Sequence, residues 1–221
     1  RATAYRSVLA AVVLSDQSSP STPPPLPADR PRLSVVIPAY DEADRIGHTL
    51  DEVHRQLAGV AKRGGVEVIV VDDGSTDDTT ERAAAAGADR VVTLPENQGK
   101  GAAVRAGMQV ATGSTRVFLD ADLAYSPDQV LSMLKLTEAG WDVVVGSRKH
   151  TATATLVQAG RLRQLGSLAV NVLSSVVLLG RYRDTQCGLK AFRSDVAEAI
   201  FPLTRIDRFA GPVRDQGRIA V

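Results

Sequence analysis

Short runs of apolar, mostly β-branched residues alternate along the chain with longer segments whose apolar residues recur every three or four positions. The runs predict buried strands, and the periodic segments predict amphipathic helices. The predicted strands cover residues 33–37, 66–71, 90–94, 115–119 and 141–145, and the predicted helices 44–58, 75–86, 100–111 and 127–139. Strands that alternate with helices are typical of an α/β fold, in which helices flank a mostly parallel sheet.

Boundary residues divide the chain into three predicted parts. Residues 18–31 are rich in Ser and Pro, which is typical of a linker, and the pattern decays after Phe201. We therefore predict a linker or disordered segment at 1–31, the α/β domain at 32–204 and an irregular tail at 205–221, for which truncation is one interpretation. Within the domain, Pro38 is predicted to stop the first strand and Asp44 to cap the first helix.

Composition and charge exclude several classes of protein. The formal net charge of +1 over 221 residues argues against a nucleic-acid binder, which normally carries a dominant basic field. Cys187 is the only cysteine, so an intrachain disulfide is impossible and a reduced, cytoplasmic compartment is expected. We interpret it as a packed thiol rather than a nucleophile.

Apolar segments are too short to span a bilayer, which needs about 20 residues. Residues 8–14 lack a small-residue cleavage site, so a secretory signal is not expected. Residues 166–180 are apolar and flanked by arginines, and they would form either a helix in the membrane interface or a core helix.

The strongest chemical signal is Asp120-Ala121-Asp122, which follows the strand predicted at 115–119. Two carboxylates one residue apart at a strand end can share a divalent cation, whose other ligands can be phosphate oxygens. The alternative is structural, with Asp122 capping the following turn. We favour the metal site because a second acidic strand end lies upstream.

That second strand end carries Asp72 and Asp73. In a parallel sheet, ligands sit at the carboxyl ends of strands, so both acidic pairs are expected to share one pocket. One carboxylate would accept from a base N–H and the other would organise the loop, although the same residue types also favour plain turns and caps. The end of the first strand would add surface for a base and ribose at Pro38, Ala39, Tyr40 and Glu42.

Basic residues could complete an anion site. Lys100, in the Gly-containing segment 97–101, could neutralise phosphate, or the segment could be a plain surface loop. Arg148, Arg163 and Ser167 could form a second anion site or could be solvated residues.

Taken together, five segments resemble the family-2 glycosyltransferases, and specifically the polyprenyl- or dolichyl-phosphate sugar synthases. They are VVIPAYDE (35–42), VVDDGSTD (70–77), NQGKG (97–101), DAD (120–122) and GSR (146–148). DTQCGLKAF (184–192) is similar to the matching stretch of dolichyl-phosphate glucosyltransferases. The resemblance spans residues 33–201.

The resemblance implies a GT-A fold, a UDP- or GDP-sugar donor, Mg²⁺ or Mn²⁺, and inversion at the anomeric carbon. It also implies roles for single residues. The nucleotide would be bound by Pro38, Ala39, Tyr40, Glu42, Asp72, Asp73, Lys100, Asp120 and Ala121; the metal by Asp120 and Asp122; and the acceptor phosphate by Arg148, Arg163 and Ser167. Asp122 and Arg148 would be the catalytic residues. Related mannosyl enzymes often carry Gln two places after the second Asp, but Ala124 stands there, so a third metal ligand is not expected.

A lipid phosphate acceptor also suits the chemistry. A phosphate monoester is anionic near neutral pH, since its second pKa is about 6, so it can attack without a general base. We therefore expect glucose to move from UDP-glucose to a polyprenyl phosphate, on an enzyme peripheral to the inner face of the cell membrane. The alternatives are mannose from GDP-mannose, transfer to a soluble sugar acceptor, or a truncated, non-catalytic nucleotide-binding paralogue.

Overall fold

The structure of the chain is a computed structural model that describes residues 30–146 and 189–204. Its strands are β1 (Leu33–Ala39), β2 (Val66–Asp72), β3 (Arg90–Thr93), β4 (Thr115–Phe118), β5 (Val143–Val145) and β6 (Lys190–Arg193). Its helices are α1 (Ala43–Ala61), α2 (Thr79–Ala85), α3 (Lys100–Val110), α4 (Asp128–Glu138) and α5 (Ser194–Ile200), followed by a 3₁₀ turn (Phe201–Leu203).

The strands of the described residues form one sheet in the order β3-β2-β1-β4-β6-β5. Strands β1 to β4 are parallel, whereas β6 runs antiparallel to both β4 and β5. The prediction of an α/β fold with a mostly parallel sheet is confirmed.

Strand β1 lies at the centre of the sheet, between β2 and β4. Its register pairs Ala39 with Asp72 on one side and Val36 with Phe118 on the other. The N–H of Asp73 continues the first ladder by donating to the Ala39 carbonyl over 2.9 Å. As a result, the residues that follow β1, β2 and β4 all emerge at the same edge of the sheet.

Side chains of β1 alternate between two apolar layers, as the period of two along a strand requires. Val35 and Ile37 pack in a cluster with apolar residues of α1 and α4, whereas Val36 packs in a second cluster with residues of α3. The sheet is therefore covered on both faces, which explains why its central strands are continuous apolar runs.

The prediction that Pro38 stops the first strand is wrong, because β1 runs on to Ala39. Leu119 donates to the Val36 carbonyl, so the backbone groups of Val36 face β4. Pro38 faces the same side two residues later, beyond the last pair of the β1–β4 ladder. Its missing N–H therefore costs no ladder hydrogen bond.

The predicted cap of the first helix is also wrong. Helix α1 begins at Ala43, so Asp44 lies in its first turn rather than before it. The free N–H of Ala43 donates instead to Asp77 Oδ2 over 3.1 Å, and the N–H of Glu42 donates to Thr79 Oγ1 over 2.9 Å. The cap thus comes from side chains of a distant segment, which local sequence cannot indicate.

Other boundaries differ from the prediction at several points. Helix α2 begins at Thr79 rather than at residue 75, because residues 73–78 form a loop that holds the strand ends together. Strand β5 is shorter than predicted, and β6 was not predicted at all. The apolar–polar alternation of Leu189, Lys190 and Ala191 is the signal that could have found β6.

Several predicted features lie outside the described residues. They are most of the linker at 1–31, the apolar segment 166–180, Cys187, the 184–188 part of the DTQCGLKAF stretch, and the tail at 205–221. Among the helices of residues 30–146 and 189–204, none combines the length and the apolar composition that crossing a membrane requires.

Helix α3 approaches the sheet closely at Gly107. A Cβ at this position would overlap Val36 Cγ1 and lie 2.8 Å from Val71 Cγ2, both on buried, stiff side chains. We expect Gly107→Ala to lower the free energy of unfolding by about 1–3 kcal/mol, the usual cost of overpacking a core. Chemical denaturation measures this change.

The matched control is Gly47→Ala in α1, where a Cβ would meet no atom within 4 Å. We expect this substitution to raise the free energy of unfolding by up to about 1 kcal/mol through helix propensity. Equal changes in the free energy of unfolding for the two substitutions would contradict the close approach of α3 to the sheet at Gly107.

Candidate nucleotide and metal site

An open cleft of about 660 Å³ lies at the carboxyl edge of the parallel strands. It is bounded by the ends of β1, β2 and β4 and by the start of α3. The residues that line it are Pro38, Ala39, Tyr40, Glu42, Arg45, Asp73, Asn97, Gly99, Lys100, Ala103, Asp120, Ala121 and Asp122.

Asp72 organises the loop that follows β2. Its side chain is buried, with Oδ1 accepting from the N–H of Ser75 over 2.8 Å and Oδ2 accepting from the hydroxyl of Thr80. Asp72 does not line the cleft. Its hydrogen bonds instead stabilise the loop on the side away from the cleft.

Asp73 joins this loop to the segment before α3. Its Oδ1 accepts from the N–H of Gln98 and its Oδ2 from the N–H of Gly99, each over 2.8 Å. Each oxygen keeps a further lone pair, and the residue faces the cleft, so Asp73 can accept another hydrogen bond there. Gly74 follows at φ 71°, and a Cβ on it would lie 2.7 Å from Asn97 N, so glycine is required for this close approach.

The turn between β1 and α1 is held by the same loop. Asp41 adopts a left-handed conformation at φ 51° that is uncommon outside glycine. Its N–H donates to Ser75 Oγ over 2.9 Å, and its Oδ1 accepts from the N–H of Thr76 over 2.8 Å. Tyr40, just before it, is 43% exposed and offers its ring at the cleft.

The two aspartates after β4 differ in their partners. Asp120 forms an ion pair with Lys100 Nζ, and both side chains are partly exposed to the cleft. Asp122 is more exposed, and its Oδ1 accepts from the N–H of Ala124 over 3.0 Å. Leu123 between them and the next helix has φ 52°, which turns the chain sharply.

The donor set suits a hard divalent cation that is shared with a substrate. Within the described part of the chain, no group of three or more His, Cys, Asp or Glu side chains could hold a metal ion. Asp120 and Asp122 nevertheless supply two carboxylates at the wall of an open cleft. Mg²⁺ is commonly bound by one or two carboxylates together with substrate phosphates and waters, so this pair fits such an ion.

The structure brings most of the predicted site residues together. Those that line the cleft are Pro38, Ala39, Tyr40, Glu42, Asp73, Lys100, Asp120, Ala121 and Asp122. Arg148, Arg163 and Ser167, predicted to bind the acceptor phosphate, lie outside the described residues.

Four residues that line the cleft were not predicted as site residues: Arg45, Asn97, Gly99 and Ala103. Asn97 and Gly99 belong to the predicted segment 97–101, of which only Lys100 was given a role. Arg45 donates to Glu42 Oε2 over 3.0 Å. A basic residue three positions after a predicted ribose-binding acid, on the same helix face, was the available signal.

An acidic cleft at the carboxyl edge of a parallel sheet, beside a topological switch in strand order, is where α/β proteins bind nucleotides. Comparison with known proteins agrees with this class. The chain belongs to glycosyl transferase family 2, whose sequence pattern matches residues 34–201.

Two curated relatives are named as dolichyl-phosphate beta-glucosyltransferases. The chain is 30% identical over 200 residues to the dolichyl-phosphate beta-glucosyltransferase of Dictyostelium discoideum, covering 83% of this chain and 61% of the relative. It is 34% identical over 194 residues to the human dolichyl-phosphate beta-glucosyltransferase, covering 81% and 60%.

A solved structure shares the fold. Glucosyl-3-phosphoglycerate synthase from Mycobacterium tuberculosis, in complex with Mn²⁺, UDP and glucosyl-3-phosphoglycerate, superposes with a TM-score of 0.56 at 28% identity. The match covers 76% of this chain and 58% of that one. The predicted GT-A fold is confirmed, and the chain spans about three fifths of the length of the relatives described here.

The cap on α1 gives a pH-dependent prediction. The hydroxyl of Thr79, with the N–H groups of Ala43 and Thr79, lowers the pKa of Asp77 from its ordinary value of 3.8. A carboxyl with a lowered pKa stabilises the fold above its unfolded-state value, and this contribution is lost as the pH falls through the folded-state pKa. We expect Asp77→Asn to lower the free energy of unfolding near neutral pH, with a gap to wild type that closes below pH 3.8.

Denaturation at a series of pH values measures this gap. Asp78→Asn is the matched control, because the neighbouring Asp78 side chain makes no cap hydrogen bond. A gap for Asp77→Asn that stayed constant with pH would refute the charge-dependent cap.

Proposed function

We propose that the chain is the donor-binding domain of an inverting glycosyltransferase that moves glucose from UDP-glucose to a polyprenyl or dolichyl phosphate. The observation that carries the proposal is the placement of Asp73 and the Asp120–Asp122 pair on either side of β1, in one cleft. The domain bounds 32–204 are part of this proposal.

The nucleoside would lie at the β1 and β2 ends of the cleft. Asp73 faces this region with free acceptor capacity, and the exposed ring of Tyr40 offers a surface for a base. Glu42 would accept from ribose hydroxyls, with Arg45 holding its carboxylate in place. Asp72 would act through the loop that it shapes.

The diphosphate would lie at the β4 end. Asp120 and Asp122 would hold Mg²⁺ or Mn²⁺, which as a Lewis acid neutralises charge that develops on a diphosphate leaving group. Lys100 adds a positive charge at the same place, and its carboxylate partner Asp120 keeps it there. Asp122 is thus a proposed catalytic residue, since it would hold the ion that neutralises the leaving group.

The acceptor would enter on the open side of the cleft. Arg148, Arg163 and Ser167 are the proposed phosphate ligands, with Arg148 also aligning the attack. A phosphate dianion needs no proton removed, so the chain's part is to align it opposite the leaving diphosphate, which gives inversion. We also propose that this step takes place at the inner face of the membrane, with the lipid phosphate as acceptor.

Two findings support these choices, and a third favours an alternative acceptor. The curated relatives described above are named for dolichyl phosphate and glucose. The solved relative holds UDP and Mn²⁺. The same structure also holds glucosyl-3-phosphoglycerate, so a small phosphorylated acceptor is the second candidate.

Turnover with alternative substrates tests the proposal. The chain, with Mn²⁺ or Mg²⁺, is incubated with UDP-glucose and a polyprenyl phosphate, and in parallel with GDP-mannose or with 3-phosphoglycerate. We expect a glucosyl phosphate lipid only in the first mixture. Product in a parallel mixture would replace the substrate assignment, and UDP binding without any transfer would favour the non-catalytic interpretation.

The metal site gives a second test by UDP binding in the presence of Mn²⁺. We expect Asp122→Asn to weaken Mn²⁺-dependent UDP binding about tenfold or more, since it removes one of two protein ligands; tenfold corresponds to about 1.4 kcal/mol. Asp128→Asn is the matched control, as Asp128 is an exposed acid in the first turn of α4 outside the cleft. Equal binding by both variants would contradict the assignment of Asp122.

Replacing Lys100 is expected to change the Mn²⁺ affinity and the UDP affinity in opposite directions. Because Lys100 Nζ contacts the carboxylate of Asp120, it competes with a cation in the nucleotide-free chain. We expect Lys100→Met to strengthen Mn²⁺ binding without nucleotide and to weaken UDP binding with Mn²⁺, both measured by calorimetry. Lys135→Met, an exposed lysine of α4, is the control. If Lys100→Met strengthened both affinities or weakened both, competition between Lys100 and the cation would be refuted.

A further inference from the structure

Helix α1 contacts the turn that carries both metal-site aspartates. Thr49 Oγ1 donates to the carbonyl oxygen of Ala121 over 2.6 Å, although the two residues lie 72 positions apart. Thr49 is 1% exposed, so water does not compete for this hydrogen bond. Ala121 stands between Asp120 and Asp122, so the contact fixes the peptide that links the two carboxylates.

Besides the ion pair of Asp120 with Lys100, two hydrogen bonds within the turn itself are seen among the described residues. The N–H of Leu123 reaches the Asp120 carbonyl over 3.3 Å, and Asp122 Oδ1 accepts from Ala124 over 3.0 Å. Leu123 has φ 52°, a conformation that persists only where surrounding structure holds it. Lys100 holds the side chain of Asp120, whereas the 2.6 Å contact from α1 holds the backbone of the turn and is shorter than the 3.3 Å hydrogen bond within it.

The hydroxyl of Thr49 has two acceptors within reach. The Arg45 carbonyl in its own helix lies 3.1 Å away, and the Ala121 carbonyl lies 2.6 Å away. A hydroxyl has one proton, and the shorter distance is the better O–H···O geometry, so the proton goes to Ala121. Thr137 in α4 differs, because it is buried in a helix and donates to the Met133 carbonyl over 3.0 Å.

We propose that Thr49 is a positioning residue for the metal site: its hydroxyl, through the Ala121 carbonyl, sets the separation and direction of the Asp120 and Asp122 carboxylates. The inference rests on the proposed function. Helix α1 is also capped by the loop after β2, so one helix joins the nucleoside end of the cleft to its metal end.

Three variants separate the hydroxyl from its surroundings. Thr49→Val keeps the branched shape but removes the donor, and Thr49→Ser keeps the donor but removes the methyl group. Thr137→Val is the matched control, since it removes a buried helix hydroxyl whose acceptor lies within its own helix.

Mn²⁺ affinity in the presence of UDP is the first readout, measured by the electron paramagnetic resonance signal of free Mn²⁺. We expect Thr49→Val to weaken Mn²⁺ binding about tenfold or more, the effect typical of losing a residue that orients metal ligands, because the Ala121 peptide links Asp120 and Asp122. Thr49→Ser is expected to retain most of the wild-type affinity, and Thr137→Val all of it. Affinity lost equally in both Val variants, or equally in Thr49→Ser and Thr49→Val, would overturn the proposal.

Amide hydrogen exchange across residues 120–124 of the metal-free chain is the second readout, and it does not depend on the proposed function. We expect faster exchange in Thr49→Val and unchanged exchange in Thr137→Val. Unchanged exchange in Thr49→Val would overturn the anchoring role even if Mn²⁺ binds. Absence of Mn²⁺ binding by wild type, with faster exchange in Thr49→Val, would refute the proposed function and the positioning of a metal, while the structural contact would stand.

Discussion

The parallel register of β1 with its two neighbours is the constraint on which the rest of the site depends. Ala39 pairs with Asp72 on one side, and Val36 pairs with Phe118 on the other. This register makes three chain segments end at one edge of the sheet, with the acidic loops on either side of β1. A register shift of one residue would move the core side chains to the opposite face, so the buried side chains of β1 fix the position of the cleft.

Hydrogen bonds between side chains and backbone groups then hold together the loops that line the cleft. Asp73 accepts from two N–H groups of the segment before α3, and Asp77 accepts from the first N–H of α1. Hydrogen bonds from N–H groups to a carboxylate are stronger than those between neutral groups. Acidic residues therefore have two kinds of task here: some hold the loops together, and others, such as Asp122, face the cleft.

Much of this arrangement could be predicted from the sequence. The runs of β1, β2 and β4 and the acids at their ends are local features, and strand order alone brings such ends together. The continuation of β1 through Pro38 and the capping of α1 by Asp77 depend on contacts between distant segments. Local periodicity does not report such contacts, so the element boundaries were predicted less well than the elements themselves.

We propose that one cleft holds a divalent cation at Asp120 and Asp122 and a nucleoside at Asp73. The most direct measurement is a crystal structure of the chain grown with Mn²⁺ and UDP. We expect Mn²⁺ bound by both carboxylates and the diphosphate, with uracil beside Asp73 and Tyr40. A nucleotide bound elsewhere on the chain, or a metal that contacts neither Asp120 nor Asp122, would contradict it.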